Sequence, residues 1–356
     1  PYQAESYKPD EAYDLRQSAI SPASQQLLQA LGMWTNDLQQ RACDYHKMTV
    51  WHENGGAELN FASEQIGVSH LGTIVENRRL QHGLLKQLNS LAHVKLFGEQ
   101  EVTGIYQSDE RVEVVTSLQH RLQAKLLLAA DGRQSTACQL LNLPVTGGSY
   151  NQAAIIANVS TEKPHQHTAW QRFLATGPLA FLPLANGQSS IVWSADSERA
   201  EALMALSDEA FRAQLSKAFE GRLGKITDCS ERAVFPLSWH SADRWLDGRV
   251  LLIGDAAHGV HPLAGQGVNL GFGDVALLNR LIPVGQDIYS HSRLRKFERQ
   301  RKAESVSALH LFSALKMMYA QQNPMLCVLR DLGMSVVEQN TLFKRLVMQN
   351  AMGNMT

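Results

Sequence analysis

An acid, Asp255, three glycines, Gly254, Gly265 and Gly267, and two amides, Gln266 and Asn269, fall within the single stretch Arg249 to Asp274. Val250 to Ile253 is a short, continuous apolar run, the pattern of a strand buried on both faces in a parallel sheet. The run ends at Gly254-Asp255 and passes through small residues and Pro262 into Gly265-Gln266-Gly267. Beyond it, Val268, Phe272 and Val275 recur at i, i+4 and i+7, which predicts a helix with one packed face. The order is strand, acid, glycine-rich loop, helix. An acid at the carboxyl end of a buried strand accepts hydrogen bonds from a ligand's hydroxyls. Glycines at a helix start let a ligand reach free backbone N–H groups, where the helix dipole favours negative charge.

A reduced flavin meets both demands, with an anionic N1–C2=O edge beside a hydroxyl-bearing ribityl chain. The wording Gly254-Asp255-Ala256-Ala257-His258, followed by His261-Pro262-Leu263-Ala264-Gly265-Gln266-Gly267-Val268-Asn269-Leu270-Gly271, resembles the second FAD-binding motif of the FAD-dependent aromatic-ring hydroxylases. The match is strongest to the ubiquinone-biosynthesis branch of that family. Other segments carry the same resemblance. Asp14-Leu15-Arg16-Gln17-Ser18-Ala19-Ile20 is similar to a family segment whose arginine lies along the FAD, and Ser69 to Asn77 is similar to its return segment. Asp131-Gly132 resembles the family's Asp-Gly motif near the cofactor phosphates. Ser135 fits that motif, while Cys138 stands where the family usually places arginine. Tyr45-His46, Met48 and Val50-Trp51 resemble the members that hydroxylate a 2-polyprenylphenol. The members acting on the later 3-methyl-6-methoxy-benzoquinol are nearly as similar.

The resemblance implies an α/β fold like that of p-hydroxybenzoate hydroxylase: a Rossmann-type FAD domain, a β-sheet substrate domain and C-terminal helices. It implies FAD as cofactor, NADPH or NADH as reductant, and dioxygen as co-substrate. Oxygen then passes to the ring of a polyprenyl phenol by way of a C4a-hydroperoxyflavin, with no side chain acting as catalyst. The cofactor-binding residues it implies are Arg16, Asp131, Gly132, Gly254, Asp255, Pro262, Gly265, Gln266, Gly267, Val268 and Asn269. Two other readings stay open: a reductase or halogenase on the same fold, and a non-catalytic assembly partner of other ubiquinone-biosynthesis proteins. The Trp-x-Trp-x-Ile-Pro signature of halogenases does not occur.

The 356 residues suffice for two domains, and 44% hydrophobic against 19% charged residues is a globular balance. A formal net charge of -1 gives no electrostatic case for a nucleic-acid partner. Cys43, Cys138, Cys229 and Cys327 are widely spaced, as reduced thiols of a cytoplasmic protein would be. No apolar run approaches the ~18 residues of a membrane span. The chain opens at Pro1 and carries no Gly-x-Gly-x-x-Gly after an early strand, so a fragment lacking the first βαβ unit is expected.

The elements that must position these residues divide as follows. Residues 1–42, 73–150 and 241–285 are expected in the FAD domain. Residues 43–72 make an excursion into a second, β-rich domain, which 151–240 complete, and 286–356 are helical. Ser21 and Pro22 predict a helix start, with Gly32 as its stop, and Asn77 is placed to cap a helix carrying Leu80, Leu84, Leu88 and Leu91. Residues 94–128 hold three alternating segments, the last running from Ala124 to Ala130. In 151–240, strands are predicted at Ala153–Ala157, Ala180–Leu184 and Ser190–Trp193, and one helix at Leu203–Phe219. Phe181, Trp193 and Phe235 are the candidate lining of a pocket for an apolar ring and tail, with ordinary sheet core as the alternative. His165 with His167, and His258 with His261, lack a third metal ligand at suggestive spacing. Leu309, Phe312, Leu315 and Met318 form an apolar stripe, either a helical cap or a face for peripheral contact with the inner membrane.

Overall fold

Ser21 and Pro22 are the first residues whose chemistry becomes geometry. The computed structural model describes residues 11–53, 55–259, 267–320 and 324–352, with side chains outside 308–330, 350 and 351. In it the Ser21 hydroxyl accepts the Ser24 N–H, Pro22 is the first helical residue, and Gly32 takes a positive φ of 70° just past the end. In chain order, β1 (Gln17–Ile20) leads into α1 (Pro22–Ala30) and the short α2 (Asn36–Gln39). Next come β2 (Cys43–Tyr45), β3 (Lys47–His52), β4 (Glu58–Ala62), β5 (Gly72–Glu76) and α3 (Asn77–Ser90). β6 (Val102–Gln107), β7 (Val112–Thr116), β8 (Arg121–Ala124) and β9 (Leu127–Ala129) precede α4 (Thr136–Leu140). The long β10 (Val145–Thr161) opens a run with β11 (Thr168–Leu174), β12 (Gly177–Pro183) and β13 (Ser189–Asp196). After α5 (Ser197–Met204) and α6 (Asp208–Ala218) come β14 (Ile226–Cys229), β15 (Ala233–Ala242), β16 (Leu246–Asp247), β17 (Val250–Leu252) and β18 (His258–Gly259). The helices α7 (Gly267–Leu281), α8 (His291–Ala320), α9 (Pro324–Gln339) and α10 (Thr341–Ala351) follow.

Among the described residues the strands form four sheets. The largest runs β18-β15-β10-β13-β12-β11-β3-β4, with β14 also on β10. Within it β3 pairs β11 in parallel, so residues about 120 positions apart in sequence share one ladder. β1, β5 and β2 form a small antiparallel sheet, so the crossing into the large sheet starts at Lys47 rather than at residue 43. β9 and β17 pair in parallel, with β16 on the other side of β17. The expected segment Ala124–Ala130 is split: β8 closes the sheet of β6 and β7, while β9 joins β17. The two ends of that segment serve different sheets, which periodicity within one strand does not reveal.

Alternation along the large sheet separates its two faces. Trp170, Phe181, Ile191, Trp193 and Ile155 point to one face and are covered by Phe211, Leu215 and Phe219 of the α5–α6 unit and the turn after it. The helix expected over 203–219 is two helices, because Ser207 caps a second start by accepting the Ala210 N–H. On the opposite face, register places Phe235, Ala154 and Ser194 in one row, and Ile156, Val192, Ala180, Gln171 and Val50 in the next. A third row, with Leu182 and Ala169, packs on Ala19 and Ile74 of the small sheet. Asn77 is the first helical residue of α3, not its cap, which is Glu76. Glu76 is buried and spends its carboxylate on Arg41, Arg79 and the Asp14 N–H. In α3 only Leu80 is fully buried, and Leu88 is exposed.

Candidate functional site

The sheet of β9, β17 and β16 sets the site. Val250, Leu251 and Leu252 are completely buried, and the chain leaves β17 through a tight turn at Gly254–Ala256. Gly254 has φ of +57°, a left-handed conformation that glycine adopts without a Cβ penalty. Asp255 projects from this turn, exposed, and its carboxylate has no hydrogen-bond partner among the described residues. The Asp255 carbonyl accepts the His240 Nε2–H at 2.7 Å. The other ring nitrogen, Nδ1, is buried with no partner among the described residues.

The turn is held from beneath. The Gly254 N–H donates to Asp274 Oδ2 at 2.8 Å, and His258 Nε2–H donates to the same oxygen at 2.9 Å. Arg301 Nε–H donates to Asp274 Oδ1 at 2.6 Å. Asp274 has 0% exposure. Burial alone would raise its pKa; the hydrogen bond and charge of His258 and the Arg301 guanidinium outweigh that and hold the carboxyl below the usual carboxylate range. The His258 ring stacks on Trp245, with centroids 4.8 Å apart and an interplanar angle of 12°.

The remaining candidate positions divide by what their side chains do. Gly267 is the first residue of α7, so its backbone N–H lies at the helix start, where orphan donors and the dipole favour negative charge. Val268 and Phe272 pack into the apolar cluster of Ile20, Leu28 and Val75. The Val268 side chain is thus a packing one, and what it presents at the start of α7 is its backbone. Val275, expected on the same stripe, is 38% exposed, and the deeply packed positions are Asp274 and Leu277. The Asn269 side chain is also engaged with protein: it accepts the Ser21 N–H at 2.9 Å and donates to the Ala19 carbonyl at 2.7 Å. It joins the start of α7 to the end of β1. Arg16 is exposed, and Asp131 accepts the Ala137 N–H at 3.0 Å, next to Gly132 with φ of +80°. Pro262, Gly265, Gln266 and His261 lie outside the described residues.

The aromatic pocket needs correction. Phe181 has 0% and Trp193 3% exposure, and Phe181 stacks on Phe219 at 3.8 Å. Both belong to the core under α5 and α6, whereas Phe235 is half-buried on the opposite face. One pocket cannot take all three, because alternation puts two of them through the sheet from the third. His165 Nε2 and His167 Nδ1 bond the carbonyls of Leu184 and Asp44. Among the described side chains of α9 and α10, the exposed large apolar residues are Leu332, Val336, Leu342, Phe343, Leu346 and Val347, with Leu342 at 74%. The side chains of Leu309, Phe312, Leu315 and Met318 lie outside the described set.

A flat, hydroxylated and partly anionic group fits this turn. Among the described residues, a Cβ built on Gly132, Gly254 or Gly267 meets nothing within 4 Å, so no described atom closes the backbone at any of the three. Beside it stands the carboxylate of Asp255, exposed and without a hydrogen-bond partner among the described residues. Sequence reasoning missed Asp274, Arg301 and His240. Asp274 carried a signal: an acid spaced with Leu270 and Leu277 on the packed side of a helix must be paired when buried. Arg301 sits in a charge-rich helix and carried none.

Comparison with known proteins follows the same lines. The FAD binding domain family matches residues 6–310. The chain is 32% identical over 385 residues to the ubiquinone biosynthesis monooxygenase COQ6 of Danio rerio, spanning 95% of this chain and 79% of that protein. It is 33% identical to the ubiquinone hydroxylase UbiL of Rhodospirillum rubrum, over 96% of this chain and 80% of that one. It is 32% identical to the 3-demethoxyubiquinol 3-hydroxylase of Escherichia coli, over 97% and 88%. Among solved structures, p-nitrophenol 4-monooxygenase PnpA from Pseudomonas putida superposes with a TM-score of 0.75 at 18% identity, covering 97% of this chain and 90% of that one. HpxO of Klebsiella pneumoniae, complexed with FAD and uric acid, gives 0.73 at 17%, covering 96% and 88%. The two structures speak for the fold alone.

Proposed function

The chain belongs to the FAD-binding family of ubiquinone-biosynthesis hydroxylases, FAD-dependent monooxygenases, and on that premise we propose that it hydroxylates the aromatic ring of a polyprenyl phenol. The observation that carries this reading is Asp255: a carboxylate without a described partner, at the end of a fully buried strand, beside open glycine backbone. FAD, reduced by NADPH or NADH, supplies dioxygen activation and oxygen transfer when bound. The chain's own residues do the rest. Asp255 would accept hydrogen bonds from the ribityl hydroxyls, and Arg16, Asp131 and Gly132 would help to hold the rest of the cofactor. The backbone at Gly267, the first residue of α7, would favour negative charge on the ring. The half-buried Phe235 and Val192 on the sheet face opposite α5 and α6 offer an apolar wall for the phenol, and a closed site there would exclude water from the reacting atoms.

A second reading, hydroxylation of the later 3-methyl-6-methoxy-benzoquinol, is favoured by the similarity to the Escherichia coli 3-demethoxyubiquinol 3-hydroxylase. Among the described residues no helix is long and apolar enough to cross a membrane. The exposed apolar residues of α9 and α10 support peripheral contact with the inner membrane, where a polyprenyl tail resides. The test is FAD titration followed by turnover. The holoprotein should oxidise NADPH or NADH with a short-tailed polyprenyl phenol and release a product one oxygen atom heavier. Asp255→Ala should bind FAD at least about tenfold more weakly, from the loss of charge-assisted hydrogen bonds worth about 1.5–3 kcal/mol each. A parent chain that takes up no flavin, or an Asp255→Ala variant with undiminished uptake, refutes the proposal. Product identity with each phenol separates the two substrate readings.

A further inference from the structure

The geometry points to Arg301 of α8 as a positioning residue for the cofactor turn, acting through the buried carboxylate of Asp274. This deepens the proposed function and rests on it, because it concerns the turn that would hold the flavin. Arg301 approaches Asp274 Oδ1 at 2.6 Å, donates from Nη2 to the Leu270 carbonyl at 2.8 Å, and pairs through Nη1 with Glu304. All faces of its guanidinium are thereby fixed. On the other oxygen of Asp274, the Gly254 N–H and the His258 ring converge at 2.8 and 2.9 Å. The carboxylate is a joint: one oxygen reads the position of α8, and the other sets the backbone immediately before Asp255.

The same helix grips the turn's other flank. Glu298, one helical turn before Arg301 and also buried, accepts the Trp245 N–H at 2.8 Å and the Leu246 N–H at 3.4 Å. Trp245 in turn stacks on His258. Two buried charges on one face of α8 thus hold both the chain entering β17 and the helix leaving the glycine loop. Neither can be spent on a ligand, since both are engaged within the protein. α8 also passes close to β11 and β12 of the large sheet, so one helix runs from the cofactor turn to that sheet. A purely structural arginine would not need to end on a carboxylate that shares its second oxygen with Gly254.

The test uses the whole chain and the variants Arg301→Lys, Arg301→Met/Asp274→Asn and, as a control, Arg299→Met on the same helix. Arg301→Lys keeps the charge but loses the fork of donors, and the double variant avoids an unpaired buried carboxylate. Two readouts apply: the FAD dissociation constant by quenching of flavin fluorescence, and peptide-level hydrogen exchange across 250–258 without flavin. With unchanged far-ultraviolet circular dichroism, both Arg301 variants should bind FAD about five- to twentyfold more weakly, a shift of about 1–1.8 kcal/mol. Their exchange should be at least about fivefold faster across 250–258 and unchanged across β10–β13, and Arg299→Met should match the parent in both. Arg301 variants whose FAD affinity and 250–258 exchange lie within twofold of the parent overturn the inference while leaving the proposed function standing. Faster exchange spread equally over β10–β13 also overturns it, because it marks general loosening. A parent that binds no FAD overturns the proposed function and this inference together.

Discussion

Replacing Phe181 and Phe235 by alanine, one at a time, tests the assignment of the two faces of the large sheet. Phe181 is completely buried and stacked on Phe219 at 3.8 Å, with Trp193, Phe211 and Leu215 in the same cluster. Removing a ring of this kind leaves a cavity that neighbours on a sheet and two helices cannot close. The expected cost is about 3–5 kcal/mol, including about 0.5–1.5 kcal/mol of ring stacking. In a chain of this size each kcal/mol moves the thermal midpoint by about 2 °C, so Phe181→Ala should melt about 6–10 °C lower. Phe235 is half-buried on the opposite face, and its truncation should cost about 1 kcal/mol. Differential scanning calorimetry of the two variants gives the stability half of the comparison. Titration with a short-tailed phenol, followed by protein fluorescence, gives the binding half. Phe235→Ala should weaken the phenol severalfold with little change in melting, and Phe181→Ala should do the reverse. A Phe181→Ala variant that melts within about 2 °C of the parent yet loses phenol affinity would refute the face assignment.

Two further outcomes follow from polar contacts at the turn. Asn269→Ala strands the Ser21 N–H and the Ala19 carbonyl in a buried setting and should lose about 2–4 kcal/mol in urea unfolding; Asn269→Asp, which keeps the acceptor for Ser21 but loses the donor to Ala19, should fall between. Asp274 has a folded pKa below its ordinary 3.8, so its contribution to stability is complete above that ordinary value and disappears as pH falls through the lowered one. Unfolding free energy measured between about pH 5 and 2 should therefore drop more steeply for the parent than for Asp274→Asn, by up to about 1.4 kcal/mol per pH unit; parallel curves would contradict the assignment.

Much of the site's skeleton was readable from residue order. Val250 to Leu252 are apolar without interruption because both faces of their sheet are covered, and Gly254 is glycine because the chain turns there with positive φ. The same kind of local rule placed the start of α1 at Pro22 and the β-rich segment over 151–240. What escaped depends on partners distant in sequence. Phe181 and Phe235 are alike as letters, and only the register of β12, β13, β10 and β15 shows that they point to opposite sides. The partners of the Asn269 amide lie at the end of β1, some 250 positions earlier, and its motif gives no sign of them. Arg301 could not be singled out among the basic residues of α8, since what distinguishes it is the buried carboxylate it meets.

The parallel ladder of β3 on β11, and the closing of the large sheet by β18, have a bearing on how the chain is made. Strands from Lys47 to Gly259 must be present before that sheet is whole. During synthesis, β3 and β4 leave the ribosome long before β11 exists to cover them. The hairpin's open edge and apolar side chains such as Val50 and Trp51 must then wait, shielded or at risk of self-association, for more than a hundred further residues. That wiring makes the assembly of the large sheet depend on non-local pairing, which folds more slowly than local contacts do.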